Sequence, residues 1–442
     1  MDAIINAVEK NRKLILGTER YIWANPETGY KEYKTDKYMA DTFASLGYDI
    51  THAEGITGFY TVIDTGRKGP EVLILGELDS VICPSHPNAD KATGAVHACG
   101  HNAQCAALIG IAAALREPDV LARLSGRIRL CAVPAEELLE IEYRRELRSE
   151  GKIKYMGGKT EFLSRGYFDG VDIALMIHTS DASSVRDGAV GCIAKNITYN
   201  GVSAHAGGAP WDGRNALYAA NCGLNAINAI RETFKEYDMI RVHPIITRGG
   251  DIVNAIPECV TLESYVRGSN FDGIVKANKA VNRALIGAAL SLGANVDITD
   301  IPGYAPLNNA KDMISLCEDA FKAIFPTETL DIIPGFESGS TDMGDLSMIM
   351  PVVHPYCKGR TGKAHGADYQ ITDPEAACLG SAKWQLAMLT LLLENDAARA
   401  KNIIANFKPT FESKEAFLCY LDSLNRSGER IVYGDGTARV EL

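Results

Sequence analysis

The sequence lacks any long hydrophobic run. None of its apolar stretches approaches the ~20 residues that a membrane-spanning helix needs, and the longest, Ala103–Leu115 and Leu386–Leu393, are typical of core helices. The N-terminus begins MDAIINAVEK, without the apolar segment of a secretory signal. We therefore expect a soluble, cytoplasmic protein that binds no membrane.

The sequence also lacks clusters of basic residues and a high density of cysteine. With 45 Lys+Arg against 56 Asp+Glu, the net charge is -11, whereas nucleic-acid binders usually carry a basic patch. The 11 cysteines are scattered, and Cys131, Cys222 and Cys378 lie in apolar runs, as buried free thiols of a reducing compartment do. The sequence therefore predicts no nucleic-acid partner and no disulfide framework, and Cys99 alone stands in a distinctive motif.

The order of predicted elements indicates two kinds of domain. A chain of 442 residues is expected to form two or three domains. Strands alternate with helices over residues 1–187, which predicts a layered α/β domain with a mainly parallel sheet. Residues 188–302 follow the order β-α-β-β-α-β, the pattern of a ferredoxin-like α+β domain inserted into the first. The α/β pattern resumes over 303–442, ending in a polar tail, 396–442.

Two short motifs place reactive side chains after predicted strands. HACGHN (97–102) sets Cys99 and His101 on either side of a glycine, so both side chains can reach one metal ion. PAEE (134–137) puts two adjacent carboxylates at the end of a buried strand. Because like charges repel, we expect a nearby cation and different roles for the two, one binding metal and the other acting as general base.

Two histidines complete the candidate set. His178 ends the predicted strand 171–177, and ligands of α/β sheets bind at the carboxyl ends of strands. His365 lies in a loop before the predicted helix 373–394 and is a further candidate ligand. A thiolate, imidazoles and a carboxylate together suit zinc or a similar divalent ion. The chain has no G-x-S-x-G, P-loop or G-x-G-x-x-G motif.

Eight stretches, in this order, resemble the amidohydrolase branch of the di-metal aminoacylase and glutamate carboxypeptidase family. This branch includes hippurate hydrolase, indole-acetyl-amino-acid hydrolase and aminobenzoyl-glutamate hydrolase. HACGHN together with GSTDMG resembles especially the B-subunit of the last and dipeptidase-like members. The stretches are NPETGY (25–30), GELDS (76–80), HACGHN (97–102), PAEE (134–137), SAHAGGAPWDGRNAL (203–217), RGGDIVNAIP (248–257), GSTDMGD (339–345) and HGADYQITDPEAA (365–377).

The resemblance implies a catalytic site with two divalent metal ions, zinc or manganese. Its metal ligands would be Cys99, His101, Glu137, His178 and His365, with Cys99 as a candidate bridge. Glu136 would be the general base that takes a proton from a metal-activated water. Asp79 would orient a group beside the metals.

The resemblance also implies that residues 188–302 form a lid and dimerisation domain. There, His205 would hold the oxyanion, while Asn254 and Arg267 would bind the substrate carboxylate. The implied partners are a homodimer formed through this domain and, as in aminobenzoyl-glutamate hydrolase, a second, different subunit.

The sequence departs from the family pattern beside these motifs. Asn102 and Gln104 replace an acid and a histidine, while Trp23 and Ala364 stand where relatives tend to have histidine. The charged segment 140–159 follows PAEE as an insertion. We interpret it as a solvated surface helix, and the alternative is that it shapes the substrate pocket beside the two glutamates.

These features predict a metal-dependent amidohydrolase. Its expected substrate is a small N-acyl amino acid, an aminobenzoyl-glutamate-like amide or a dipeptide with a free carboxylate. One alternative is a non-hydrolytic binding or regulatory homologue of the same fold. The other is a cysteine hydrolase with Cys99 as nucleophile and His101 as base, although residues two apart rarely give the required geometry.

Overall fold

A computed structural model describes residues 1–442. Its contacts divide the chain into two compact units, and each is discontinuous in sequence. The first unit consists of Met1–Gly188, Leu307–Phe336 and Thr341–Lys414, and the second of Ala189–Pro306, Glu337–Ser340 and Glu415–Leu442.

The first unit is built on a six-stranded sheet. In spatial order its strands are Thr51–His52, Phe59–Asp64, Arg127–Val133, Glu71–Glu77, Ile173–Leu175 and Val352–Val353. The last four strands pair in parallel, and the first two pair antiparallel at one edge. The predicted α/β class with a mainly parallel sheet is confirmed. Because these strands run the same way, Glu77 and the PAEE loop leave the sheet at one edge.

A second sheet of this unit receives His178. The strand predicted over 171–178 is divided: Ile173–Leu175 stays in the main sheet, and His178–Ser180 pairs in parallel with Tyr356–Lys358. Ser184–Ala189 and Leu307–Asn308 continue this second sheet. His178 therefore begins a strand, where the sequence predicted it to end one.

Helices cover the main sheet. The central helix, His101–Leu115, has all its residues buried because alanine and aliphatic side chains surround it. The other helices of the first unit are Asp2–Lys10, Arg12–Trp23, Tyr33–Ser45, Pro118–Leu121, Ile141–Ser149, Gly158–Ser164, Lys311–Ile324, Met343–Ser347, Ser381–Leu393 and Ala398–Asn406.

One apolar helical stretch is longer than the sequence suggested. Glu375–Leu393 is 19 residues long, of which the first six form a π-helix, so the expectation that no stretch approaches a membrane-spanning length was wrong. However, 78% of its apolar window is buried within the protein. Its hydrophobicity is that of a core helix.

The second unit has one antiparallel sheet and two long helices. Its main strands are Gly191–Asn200, Cys259–Gly268 and Asn295–Pro302, with Gly191–Asn200 in the middle. The edge is completed by Arg241–Val242 and Ile245–Arg248, and the helices are Ala216–Ile230 and Phe271–Ser291.

The C-terminal tail differs from the domain boundaries expected from sequence. Glu415–Leu442 groups with the second unit, whereas the sequence placed residues 303–442 with the catalytic domain. The reason is local pairing. Asp300 and Arg426 exchange backbone hydrogen bonds of 2.7 and 3.0 Å, and Ile431 enters the hydrophobic core of this unit. The tail contains the helix Lys414–Leu424 and a hairpin of Ile431–Gly434 with Thr437–Val440.

Candidate metal centre

A tight turn presents Cys99 and His101 together. Gly100, between them, has φ 104° and caps the helix His101–Leu115. A side chain there would meet the Tyr369 hydroxyl and Thr179, and the left-handed backbone itself favours glycine. The turn buries Cys99 and His101 at the start of the central helix.

The structure brings five of the predicted site residues together as two groups that share one sulfur, and a third group joins His101 to Glu77 and Glu136. The ligand atoms of Cys99, His101 and His178 lie within 4.8 Å of one another, and so do those of Cys99, Glu137 and His365. Within these groups Cys99 Sγ is 3.3 Å from His178 Nε2. His365 Nε2 is 3.0 Å from Glu137 Oε1. Such an arrangement suits two cations bridged by a thiolate.

Two imidazoles are oriented as metal ligands usually are. His101 Nδ1 lies 3.0 Å from the Asp79 carbonyl oxygen, and His178 Nδ1 lies 2.9 Å from that of Thr179. A carbonyl accepts a proton from Nδ1, so in each neutral ring Nε2 carries the lone pair. Both Nε2 atoms belong to the same ligand group. Buried His101 Nε2 makes no hydrogen bond. The donor set therefore fits a divalent cation.

The surroundings of Cys99 favour the thiolate form of its side chain. Burial and the charge of Glu137 raise the pKa of this thiol, but in the metal-free protein the positive charges of protonated His101 and His178 outweigh them and lower it to about 6. The thiolate is the form that ligates metals.

The environments of Glu136 and Glu137 differ sharply. Burial raises the pKa of Glu136 well above its ordinary value, and the charges of Glu77 and Glu137 raise it further. Burial also raises the pKa of Glu137, but His365, by hydrogen bond and charge, lowers it to about 2. Glu137 is thus suited to bind a cation and Glu136 to accept a proton, a division often found in acid–base pairs.

The site has a large excess of buried acid. Five carboxyl groups surround it and are less than a tenth exposed: Glu77, Asp79, Glu136, Glu137 and Asp342. The fully buried ammonium group of Lys159 forms ion pairs with Glu77 and Asp342. Even with the imidazoles of His101 and His365, which pair with Glu77 and Glu137 when protonated, the positive groups are fewer than the five carboxyl groups, and buried charges are costly unless paired. This imbalance is a second indication that cations belong here.

Side chains from three elements hold the PAEE loop. Ala135 has φ 56° although it is not glycine, a conformation that costs about 1–3 kcal/mol. Glu32 Oε1 accepts a hydrogen bond from the Ala135 amide at 2.8 Å, and Asp79 Oδ2 accepts one from the Glu137 amide at 2.8 Å. Arg144 donates to the Glu137 carbonyl and, at 2.7 Å, to the Met156 carbonyl. These bonds fix the directions in which the two carboxylates point.

The insertion 140–159 is therefore not a solvated surface helix, and that interpretation was wrong. Its helix Ile141–Ser149 buries Ile141, Arg144 and Leu147, and Arg144 is only 1% exposed. The charged composition suggested an exposed helix, but the Arg144 guanidinium is buried, where it donates hydrogen bonds to backbone carbonyls.

We expect Arg144→Ala to destabilise the protein by about 3–5 kcal/mol, since it leaves buried carbonyl groups without donors. The same change should weaken metal binding, because the Glu137 backbone loses its anchor. Arg145→Ala, one residue further on the exposed side of the same helix, is the matched control and should cost less than about 0.5 kcal/mol. Urea unfolding of the two variants measures the difference, and equal stabilities would contradict the role given to Arg144.

The other predicted site residues, His205, Asn254 and Arg267, lie in the second unit. The amides of Gly207 and Gly208 donate to His205 Nδ1 at 3.2 and 2.8 Å, so Nε2 of the exposed neutral ring carries the proton. The Asn254 carbonyl accepts a hydrogen bond from Ala206 at 2.9 Å. Arg267 lies on the strand Cys259–Gly268, and its buried Nε has no hydrogen bond.

The substitutions noted in the sequence leave both ligand groups intact. Asn102 donates to Glu19 at 2.8 Å, and Gln104 accepts from the Glu77 amide at 3.3 Å. Trp23 packs edge-on against His86, 5.9 Å between ring centres.

Sequence reasoning missed Glu77, Lys159 and Arg144. Glu77 could have been found, since it ends a buried strand as PAEE follows one. Lys159 and Arg144 carry no comparable signal, because an isolated basic residue in a polar segment is usually exposed. Asp342, which lies within the stretch GSTDMGD, is the partner of Lys159.

Comparison with known proteins gives consistent matches. Residues 73–390 match the family model described as Peptidase family M20/M25/M40. The Xaa-Arg dipeptidase of Mus musculus is 27% identical over 355 residues, covering 76% of this chain and 74% of that protein. The indole-3-acetyl-aspartic acid hydrolase of Enterobacter agglomerans is 26% identical over 329 residues, covering 62% of this chain and 70% of that protein.

A solved structure shares the fold. The Bacillus subtilis YXEP protein, described as a dinuclear metal binding peptidase from the M20 family, aligns with a TM-score of 0.65 at 19% identity. The alignment covers 87% of this chain and 99% of that one.

Proposed function

The chain belongs to peptidase family M20/M25/M40, and from this premise we propose which substrates it cleaves and which residues do so. It is a metal-dependent hydrolase of amide or peptide bonds. We propose as substrate a small N-acyl amino acid, an aminobenzoyl-glutamate-like amide or a dipeptide with a free carboxylate. The observation that carries the proposal is the pair of ligand groups sharing Cys99 beside a buried Glu136.

Two divalent cations, zinc or manganese, are proposed to bind the two groups. Cys99, His101 and His178 would hold one, and Cys99, Glu137 and His365 the other. When bound, such ions polarise the amide carbonyl and make water more acidic. Asp79 lies beside the His101 ring and accepts a hydrogen bond from the Glu137 amide, so it would orient one ligand of each group.

Glu136 is proposed to move the proton. As the oxygen of water bonds to the amide carbon, a Glu136 oxygen takes the water proton. When the carbon–nitrogen bond breaks, Glu136 returns that proton to the leaving nitrogen. Its raised pKa makes Glu136 a stronger base than an ordinary glutamate, as taking the water proton requires.

His205, Asn254 and Arg267 are proposed to bind the substrate's charged oxygens. The tautomer fixed by Gly207 and Gly208 makes His205 Nε2 a donor, as stabilising an oxyanion requires. Arg267 offers a guanidinium fork, which suits a carboxylate. We propose that the second unit acts as the lid that carries these groups.

We further propose that the protein is cytoplasmic and forms a homodimer through the second unit, with a second kind of subunit left open. This unit exposes several large apolar side chains: Trp211, Tyr218, Ile245, Ile252 and Val253. Exposed apolar patches commonly mark interfaces.

A substrate panel tests the proposed function. Metal-loaded protein would be assayed with N-acyl amino acids, aminobenzoyl-glutamate and dipeptides, including those ending in arginine, and again after chelation. We expect turnover of at least one free-carboxylate amide, lost on chelation and restored by metal. Binding without turnover across the panel would instead favour a non-hydrolytic homologue.

A further inference from the structure

Glu77 has one carboxylate oxygen that accepts a hydrogen bond and one that accepts none. It ends the strand Glu71–Glu77 and is 1% exposed. Oε1 accepts a hydrogen bond from Lys159 Nζ, while buried Oε2 makes no hydrogen bond. An ionised oxygen left so in a protein interior is costly, so its surroundings must supply positive charge.

Oε2 faces a nitrogen that is also without a hydrogen bond. It lies 3.2 Å from His101 Nε2, and Glu136 Oε2 lies 3.9 Å from the same nitrogen. Since His101 Nδ1 faces the Asp79 carbonyl, Nε2 of the neutral ring turns its lone pair toward both carboxylates. Nitrogen and oxygen ligands of one tetrahedral ion are about 3.3 Å apart, from bond lengths of about 2.0–2.2 Å. The separation of 3.2 Å fits two ligands sharing a cation, and the ligand atoms of Glu77, His101 and Glu136 all lie within 4.8 Å of one another.

Lys159 fixes which oxygen of Glu77 faces the site. Its ammonium group is fully buried and also pairs with Asp342, whose Oδ2 accepts the Lys159 backbone amide at 2.9 Å. The lysine is thus anchored at both its backbone and its side chain. By holding Oε1, it leaves only Oε2 available, as a hydrogen-bonded partner orients a metal-binding histidine.

We propose that Glu77 Oε2 is a further ligand of the divalent cation that binds His101, and that Lys159 is its positioning residue. The proposal rests on the proposed function only in requiring a cation at His101. With Glu77, this site has more ligands and more negative charge than the site formed by Cys99, Glu137 and His365. We therefore expect the two sites to bind their ions with different affinities.

Metal binding by Glu77→Gln tests this proposal without an activity assay. The metal-free full-length protein and the variant would be titrated with Zn²⁺ and Mn²⁺ by calorimetry, and their Co²⁺ absorption spectra recorded. Glu19→Gln is the matched control, since Glu19 is a buried carboxyl that accepts a hydrogen bond from Asn102 and belongs to none of the ligand groups.

We expect Glu77→Gln to lower the affinity for one of the two ions by more than about 100-fold. This exceeds the 10- to 100-fold loss of affinity typical of residues that only orient a ligand. The visible Co²⁺ bands should gain intensity as the coordination number falls, while Glu19→Gln matches the wild type. If Glu77→Gln fails to fold, the double variant Glu77→Gln with Lys159→Met, which also removes the ammonium group that has lost one of its two carboxylates, takes its place.

The outcomes separate the two proposals. Two ions bound by Glu77→Gln with wild-type affinities and spectra would overturn the role of Glu77 alone. A wild-type protein that binds no divalent ion would overturn this inference and the proposed function together.

Discussion

Glu136→Gln is expected to lower kcat by about 10²- to 10⁴-fold, the contribution typical of a general base. Glutamine has nearly the same shape but cannot take a proton from water or return one to the leaving nitrogen. Glu136 belongs to neither group that contains Cys99, although it joins Glu77 and His101 in a third group. Because glutamine keeps an oxygen at this position, both metal ions should stay bound. Steady-state kinetics with metal analysis of the same sample measures both expectations.

The control for this change is Glu142→Gln, an exposed carboxylate on the neighbouring helix Ile141–Ser149. It should leave kcat and KM as in the wild type. Unchanged turnover in Glu136→Gln would show that another group is the base. A loss of activity accompanied by loss of metal would show that Glu136 is a ligand.

Cys99→Ala is expected to remove both metal ions and with them all measurable activity. The sulfur belongs to both ligand groups, so its loss leaves each with a smaller and less negative set of donors. We expect less than about one ion per chain after dialysis, because binding strength depends on the complete deprotonated set. Metal analysis and turnover of the same preparation are the measurements.

Cys83→Ala is the matched control, since Cys83 is buried in the same hydrophobic cluster as Cys99 and joins no ligand group. It should keep both ions and full activity. The variant also separates a metal enzyme from a cysteine hydrolase, in which Cys99 would be the nucleophile. Cys99→Ala that binds two ions yet is inactive, with wild-type activity that survives chelation, would favour the nucleophile.

The sequence predicted the fold class because hydrophobic periodicity and strand–helix alternation depend on local patterns. The buried strands Glu71–Glu77 and Arg127–Val133 lie where continuous apolar runs indicated them. The convergence of Cys99, His101 and Glu137 follows from the same rule, since parallel strands deliver their ends to one edge. The assigned roles of these residues stay predictions until metal is measured.

Features that depend on tertiary contacts could not be predicted in this way. Lys159 looks like a surface residue until Glu77 and Asp342, both distant in sequence, close around it. Arg144 is buried because three-dimensional packing places backbone carbonyls around its guanidinium group. The tail joins the second unit through backbone pairing with the strand Asn295–Pro302, for which its polar composition gave no signal.

The central claim is that one sulfur is shared by two metal sites. Anomalous diffraction from a crystal of the zinc- or manganese-loaded protein, at the absorption edge of the metal, tests it most directly. We predict two peaks with Cys99 Sγ between them, one contacted by His101 and His178 and the other by Glu137 and His365. A single peak, or metal bound away from Cys99, would contradict this account.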